Sequence, residues 1–510
     1  MLAAVHSNAN TVFIFLTILL WSIGAYPDTD DPPQRPTPLS SVSGLTPNEI
    51  VLGSVLPLDG PSKNIGNHLQ LGLEKSLAGQ MVGNRKIRIV YADDIYEPIL
   101  TKIKVNRLLD HGIFAMIGNV GTPTAAVTLP ILEGHNIPAI GFLTGASLLR
   151  NGRGMILNYR ASYASEVSAL MTAAMAAGIK PEQICAYVQD DSYGKEIIFS
   201  MQQELLRVKA PAMVTDGIAA LLDGSGDDWL INPGSYDTTP VNENGPVGVH
   251  TRDLLGSASG YNSLKQWESK TKYRCAMVLA AGTYANIARF VHDTRDKGEK
   301  WIVASISFTG AHELLAAIEN LVKIHRSPTE QRPTEWISNV VMSQVTPDLD
   351  SNLPLVRAAK HALGADFNFI SLEGYIVGKM ALKLLQLTPE PLTQVALIEQ
   401  ARRTSFDLEG LKINFTRDGY QGSNLITIIE LTESGYKLMT IKDWQAMLAT
   451  NTVPQLRSDV PITATVAALI PPHANTEPNN VAPDITATNT VVAPSRKNRG
   501  DRSRRARGRK

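Results

Sequence analysis

The chain has 510 residues, of which 44% are hydrophobic and 19% are charged. That length suits two domains of ordinary size with extensions, and the composition excludes a chain that is disordered throughout. Lysine plus arginine and aspartate plus glutamate balance at 48 each, so there is no overall basic field that would attract nucleic acid or a membrane surface. We therefore expect a small or neutral partner.

The N-terminal residues have the pattern of an export segment. An apolar run from Thr11 to Ala25 has roughly the length of a secretory hydrophobic region and ends in two small residues. The residues before it carry no lysine or arginine, and the run is shorter than the roughly 20 residues of a full membrane span. We interpret residues 1–25 as a signal peptide, with an uncleaved anchor as the alternative, and expect a periplasmic or other extracytoplasmic location.

Strands and helices alternate from about residue 50 onward. The apolar runs EIVLGSVLP, KIRIVYADD, FAMIGN and IPAIGFL are separated by helical patterns, the first of which places Leu69, Leu73 and Leu77 on one side. The alternation restarts with QICAYVQDD, PAMVTDGIA, CAMVLAAG and WIVASIS, which we interpret as strands. This order predicts an α/β fold with two doubly wound domains built on parallel sheets.

Changes in composition divide the rest of the chain. Residues 26–48 are rich in proline and small polar residues and are interpreted as a tether. The irregular polar segment 223–262 is too long for an ordinary loop, so it is either a functional flap or a surface insertion. The Pro/Ala/Thr-rich tail at 446–494 and the basic tip at 495–510 are expected to be disordered. The tip is either a solvated tail or a contact for an anionic surface.

Two cysteines are present, Cys185 and Cys275, and each begins an apolar run typical of a buried strand. They are either two small buried hydrophobic residues or, in an oxidising compartment, a disulfide between neighbouring strands. The sequence does not decide between these alternatives, because the distance between the two residues is unknown.

Catalytic and metal-binding patterns in the sequence are incomplete. His312 begins an HELLA segment like that of a zinc-protease helix, but Ala316 stands where the second histidine is needed. The GSASG segment has Ala258 where a nucleophilic serine is required. The pair Asp93 and Asp94 at a strand end is interpreted as a helix cap beside a solvated charge. We therefore expect no enzymatic activity, no metal and no cofactor.

The segment MIGNVGTPTAAVTL points to an anion. It follows a predicted strand and opens a helix, so backbone N–H groups and the hydroxyls of Thr122 and Thr124 are expected to converge where a helix N-terminus favours negative charge. Neither a lysine-containing phosphate loop nor a GxGxxG motif after the first strand is present, so phosphate is not expected. The turn either binds another anion or simply caps the helix.

Six segments, in order along the chain, resemble type I periplasmic binding proteins of the Leu/Ile/Val (branched-chain amino acid) binding class. They are GSVLPLDGPSKNIG, GQMVGNRKIRIVYADDIYEP, MIGNVGTPTAAVTLPILEGHNIPAIGFLTGA, YVQDDSYGKE, SLEGYIVGKMAL and LEGLKINFTRDGYQGS, which span about residues 48–439. The resemblance implies two Rossmann-like lobes joined by a three-crossing hinge. Lobe 1 would be 49–162 plus about 346–425, and lobe 2 would be 163–345 plus about 426–445.

The resemblance also implies a ligand site between the lobes, without a metal or cofactor. Its residues would be Thr122, Leu143, Thr144, Gly145, Tyr193, Thr283, Tyr284 and Ser307. The first four would hold a carboxylate with hydroxyl and backbone donors and no cationic side chain. The tyrosines have structural alternatives, since Tyr193 could cap a helix and Tyr284 could pack inside its own lobe.

Two departures from the family bear on the ligand. Ser307 stands where amino-acid-binding members place an acidic residue against the ligand's ammonium, and Ile65 replaces a tyrosine common in the first loop. A buried ammonium without a carboxylate partner would cost several kcal/mol. A ligand with an acid head and a neutral or apolar body, such as a keto acid, an aromatic acid or a short amide, fits better than an ordinary amino acid.

The resemblance implies an exported solute-binding protein whose closed form is recognised by an ABC permease. One alternative is a ligand-sensing module for a receptor or kinase. Another is a vestigial binder that acts as a surface or assembly protein through its tails.

Overall fold

The computed structural model describes residues 42–223, 245–252, 257–325 and 333–450. The predicted export segment, most of the tether, most of the predicted tail and all of the basic tip lie outside these residues. Among the described residues, no helix is both long enough and apolar enough to cross a membrane.

The elements follow one another in an alternating order. The first group is β1 (Glu49–Leu56), α1 (Lys63–Leu77), β2 (Met81–Val82), β3 (Arg85–Asp93), α2 (Pro98–His111), β4 (Ala115–Ile117), α3 (Thr122–His135), β5 (Ala139–Ile140) and β6 (Ile156–Leu157). The second group is α4 (Tyr163–Ala176), β7 (Ile184–Gln189), α5 (Ser192–Arg207), α6 (Ala212–Asp223), β8 (Val247–His250), α7 (Ser257–Thr271), β9 (Met277–Ala281), α8 (Tyr284–Asp296), β10 (Ile302–Ser305), α9 (Ala311–His325), α10 (Pro333–Ile337) and β11 (Val340–Gln344). The third group is α11 (Pro354–Leu363), α12 (Phe369–Leu387), α13 (Gln394–Arg402), β12 (Ser405–Leu408), β13 (Leu411–Asn414), β14 (Thr427–Thr432), β15 (Gly435–Leu438) and α14 (Ile441–Thr450). The last helix runs past residue 446, where the sequence predicted the tail to begin.

The first sheet has six strands in the order β2-β3-β1-β4-β5-β6. Its neighbouring strands are parallel, apart from the short antiparallel pair of β2 and β3. The strand order reverses between β1 and β4, and such a switch point leaves a crevice at the carboxyl ends of the strands. This sheet, together with α1, α2, α3, α11, α12, α13 and the β12–β13 hairpin, forms the first lobe.

The second sheet has seven strands in the order β15-β14-β11-β10-β9-β7-β8. The strands from β11 to β8 are parallel, and β14 and β15 add an antiparallel edge. Its order reverses between β7 and β9, which creates a second crevice of the same kind. This sheet, together with the helices α4 to α10 and α14, forms the second lobe.

Three crossings connect the lobes, after β6, after β11 and before β14. The Tyr159 hydroxyl of the first crossing donates to the Val345 carbonyl of the second, at 3.0 Å. The Asn158 N–H donates to the Tyr420 carbonyl of the third at 2.6 Å, and its own carbonyl accepts from Gly422. The crossings are thus hydrogen-bonded to one another. The predicted α/β fold of two doubly wound lobes with a three-crossing hinge is confirmed.

One predicted strand is wrong. The segment PAMVTDGIA lies almost entirely in α6, where Val214 and Ile218 are buried four residues apart while Met213 is half exposed. A short apolar run does not by itself distinguish a strand from a helix, and here the helical spacing prevails. The strand that follows is β8, which lies inside the segment 223–262 predicted to be irregular, and α7 begins within that segment as well.

The two cysteines form a disulfide in the structure. Cys185 lies in β7 and Cys275 just precedes β9, the neighbouring strand, and their Cα atoms are 5.7 Å apart. Both residues are buried. Of the two alternatives left open by the sequence, the structure contains the disulfide between neighbouring strands.

Replacing both cysteines, as Cys185→Ala with Cys275→Ala, should lower the free energy of unfolding. The bond joins residues 90 positions apart, for which the loss of chain entropy in the unfolded state predicts about 4–5 kcal/mol. Urea unfolding of the double variant beside the oxidised wild type measures the difference. Equal midpoints, or free thiols by non-reducing mass spectrometry in protein purified without reductant, would contradict the disulfide.

Candidate functional site

The two crevices meet at the boundary between the lobes. Gln189, at the carboxyl end of β7, donates to the hydroxyl of Tyr96, which follows β3 in the other lobe, at 3.4 Å. The Tyr96 ring lies 6.1 Å from that of Phe308, which follows β10. Tyr96, Gln189 and Phe308 are all buried. The structure therefore shows a cleft that is closed, with loops from the carboxyl ends of both sheets in contact.

The Gly/Thr turn after β4 brings two hydroxyl groups together. Thr122 and Thr144 follow the neighbouring strands β4 and β5, are buried, and have their hydroxyl oxygens 2.8 Å apart. Gly121 has a φ of +100°, and a Cβ there would lie 2.2 Å from the Tyr96 ring, so the turn requires glycine. Because α3 begins at Thr122, the hydroxyl pair lies at the positive end of a helix.

The loop after β5 completes this side of the site. Leu143 is fully buried, and its N–H donates to the Asn119 carbonyl at 2.8 Å, which ties the two turns together. At Gly145 a Cβ would lie 2.5 Å from the Tyr163 ring, so the ring packs directly on the loop backbone. The expectation that the Thr124 hydroxyl faces a ligand is wrong, because it donates to backbone carbonyls of the preceding turn.

Aromatic side chains line the cleft. The Tyr193 ring centroid lies 5.3 Å from that of Tyr163 and 4.9 Å from that of Phe308. The Phe308 ring in turn contacts the Tyr96 ring. The backbone of Tyr193 also helps to cap α5, since its N–H donates to Asp191. Its buried hydroxyl has no hydrogen-bond partner among the described residues. Burial raises the pKa of this hydroxyl well above its ordinary value, so it remains a neutral donor.

Ser307 is held by charged neighbours within the protein. Its hydroxyl accepts a hydrogen bond from the Arg160 guanidinium, and its N–H donates to the Glu166 carboxylate at 2.9 Å. Arg160 belongs to the first hinge crossing and is fully buried. The resemblance implied no cationic side chain for the four first-lobe residues, and it did not predict that a buried guanidinium lies beside Ser307, a predicted residue of the second lobe.

Two carboxyl groups accompany Arg160. Its Nε lies 3.4 Å from Glu373 in α12, and its Nη2 lies 3.9 Å from Glu166 in α4. Burial raises the pKa of Glu373 to about 7, although Arg160 opposes this rise. Burial lowers the pKa of Arg160, but Glu373 and Glu166 outweigh it, and the net shift is upward. Arg160 therefore stays charged, while Glu373 exchanges its proton near neutral pH.

The two remaining predicted residues lie at the start of α8, with Thr283 as its N-cap and Tyr284 as its first residue. Thr283 is buried, and its hydroxyl has no hydrogen-bond partner within the described part of the chain. The Tyr284 side chain lies near the backbone of Asn64 in α1 of the other lobe, so it does not pack only inside its own lobe.

Sequence reasoning missed several residues of the closed cleft: Tyr96, Arg160, Tyr163, Glu166, Gln189, Phe308 and Glu373. Tyr96, Gln189 and Phe308 could have been found, because each lies at or just after the carboxyl end of a parallel strand, where cleft residues gather. Arg160, Glu166 and Glu373 meet only through tertiary structure, and no local pattern predicts that meeting. Across the described residues, no group of three histidine, cysteine or acidic side chains could hold a metal.

Known proteins resemble this chain in sequence over its first part and in fold over most of its length. A family model described as periplasmic binding protein matches residues 49–211. A search of curated proteins gave no match. A solved structure of a "possible leucine/isoleucine/valine-binding protein" from Rhodopirellula baltica SH 1 is 25% identical, covers 80% of this chain and 99% of its own, and has a TM-score of 0.65.

More distant structures share the fold. A branched chain amino acid ABC transporter protein from Thermus thermophilus with bound valine is 15% identical over 77% of this chain and 96% of its own, with a TM-score of 0.59. An ABC transporter solute binding protein from R. palustris in complex with 4-hydroxybenzoate is 12% identical over 77% of this chain and 96% of its own, with a TM-score of 0.56. The family match and these structures confirm the resemblance of this chain to the type I periplasmic binding proteins of the Leu/Ile/Val-binding class, a family of solute-binding proteins.

Proposed function

We propose that this protein is an exported solute-binding protein that closes over a small carboxylate-bearing or amide-type molecule and delivers it to an ABC importer. The observation that carries this proposal is a closed cleft with buried polar atoms that lack partners among the described residues. They are the hydroxyls of Tyr193 and Thr283, Oε1 of Gln189 and Nη1 of Arg160. An unpaired buried polar group costs about 1–3 kcal/mol. A ligand that supplies the missing partners would therefore favour the closed form.

The first lobe offers the better place for an acid group. The paired hydroxyls of Thr122 and Thr144 lie at the N-terminus of α3, where a negative charge is stabilised. The Arg160 guanidinium adds a desolvated positive charge to the same cleft. Charge-assisted hydrogen bonds from such donors are stronger than neutral ones, which favours a carboxylate over a neutral head group.

The second lobe favours a neutral or apolar body. The rings of Tyr163, Tyr193 and Phe308 provide flat apolar surfaces, which the Tyr96 ring of the first lobe extends. At Ser307 an ammonium would meet a hydroxyl already bound to the Arg160 guanidinium. The nearby Glu166 carboxylate already accepts from the Ser307 N–H and the Ser343 hydroxyl and lies 3.9 Å from Arg160. A keto acid, an aromatic acid or a short amide fits these surroundings better than an α-amino acid.

The Tyr193→Phe variant tests solute binding, because it removes a hydroxyl that has no partner within the described protein. We expect the melting temperature without ligand to stay nearly unchanged, while the affinity falls about three- to tenfold. The measurement is a thermal-shift screen of the full chain with amino acids, keto acids, aromatic acids, amides and ureas, followed by calorimetry. A ligand at 100 times its dissociation constant stabilises by about 2.7 kcal/mol, so binding is readily visible.

Tyr187→Phe is the matched control, because Tyr187 packs against Phe290 at 3.9 Å within the second lobe. It should leave the affinity unchanged. A screen in which no compound shifts the melting temperature would contradict solute binding. Equal affinities of Tyr193→Phe and wild type for a bound compound would remove Tyr193 from the site.

The Thr122→Val variant tests the position of the acid group. The loss of a charge-assisted hydrogen bond should weaken binding of a carboxylate about tenfold or more. Thr128→Val, six residues further along α3, also loses one buried hydroxyl bond, at 2.8 Å to the Thr124 carbonyl. Calorimetry should show full affinity for Thr128→Val, whereas equal losses in both variants would assign the effect to the helix and not to the ligand.

A further inference from the structure

One ion pair crosses the mouth of the cleft without belonging to the proposed ligand contacts. His68 in α1 of the first lobe and Glu313 in α9 of the second lobe approach to 2.5 Å between Nδ1 and Oε1. The His68 side chain is 19% exposed, whereas that of Glu313 is 1% exposed. The second oxygen of Glu313 has no hydrogen-bond partner among the described residues. The Glu313 carboxylate therefore depends on a group from the opposite lobe.

The charges around His68 favour its protonated form when the lobes are together. Burial lowers the pKa of His68, but the hydrogen bond and the charge of Glu313, together with the charge of Asp366, outweigh it, and the net shift is upward from 6.5. The His312 ring of α9 lies 5.9 Å away. Burial and the nearby charge of Glu313 raise the pKa of Tyr284 in α8.

We propose that His68 and Glu313 form a proton-dependent latch that holds the two lobes closed and releases them as the pH rises. The proposal rests on the solute-binding function and assigns to the same cleft a regulation by pH. Opening the lobes separates His68 from Glu313, because the two residues belong to different lobes. The stabilisation of the protonated imidazole by Glu313 is thus present only in the closed form.

The direction of the effect follows from this difference. Since the closed form raises the His68 pKa, its extra stability is fully present below the ordinary value of 6.5 and is lost as the pH rises through the raised value. Other cross-lobe contacts include Arg252 with Glu97, at 3.4 Å, and the Ser147 hydroxyl with Glu196, at 2.8 Å. The pair of His68 and Glu313 is therefore one of several contacts that hold the lobes together.

The test measures lobe closure directly and without a ligand. Spin labels at Lys75→Cys in α1 and Asn320→Cys in α9, both exposed, report the separation of the two helices in the full chain. At about pH 5.5 the short-distance population should exceed that at about pH 8.5 by roughly threefold or more. His68→Gln and Glu313→Gln should each abolish the change. Identical distance distributions at the two pH values would overturn the latch.

A second measurement and a control variant distinguish a pH response of His68 from that of other titrating groups. The cleft also contains Glu373, whose pKa is raised to about 7 by burial. His312→Gln should keep the pH response, because His312 does not contact Glu313 as His68 does. The His68 imidazole should titrate above 6.5 by NMR in wild type and revert in Glu313→Gln. A response that persists in His68→Gln would overturn the proposal, whereas the ligand screen above decides solute binding separately.

Discussion

The burial of Arg160 is the constraint that organises the boundary between the lobes. Its guanidinium, on the first hinge crossing, is shared by Glu373 from a helix of the first lobe and by Glu166 and Ser307 from the second. Because an unpaired buried charge is strongly destabilising, these partners fix where the hinge, α4 and α12 meet. Tyr163, which follows Arg160 by three residues, is positioned by the same cluster and packs on the backbone of Gly145.

In the second sheet, the disulfide and the cleft residues lie at opposite ends of the same strand, β7. The disulfide of Cys185 lies near the amino end of β7, whereas Gln189 and the residues after it lie at the carboxyl end. The carboxyl ends of parallel strands lie at one edge of the sheet, so the loops that follow these strands all face the cleft. In the proposed function, the sheets stay rigid while the hinge crossings, which are hydrogen-bonded to one another, carry the motion of the lobes.

The sequence predicted the fold well because alternating apolar runs and helical periods determine a doubly wound sheet through local patterns. It failed at PAMVTDGIA, which was predicted as a strand and lies almost entirely in α6, and in the segment 223–262, which was predicted as irregular and contains β8 and the start of α7. For the site, the sequence pointed to Thr122, and the structure brings its hydroxyl to Thr144. It could not reveal the partners of Ser307, since the contact with Arg160 spans 147 positions and arises only when the lobes meet.

A crystal structure of the full chain with the compound that raises its melting temperature most would test the central claim directly. The account predicts closed lobes, a carboxylate or amide head at the hydroxyls of Thr122 and Thr144, and the body of the molecule against Tyr193 and Phe308. A compound bound outside the cleft, or an amino acid whose ammonium lies at Ser307, would contradict it.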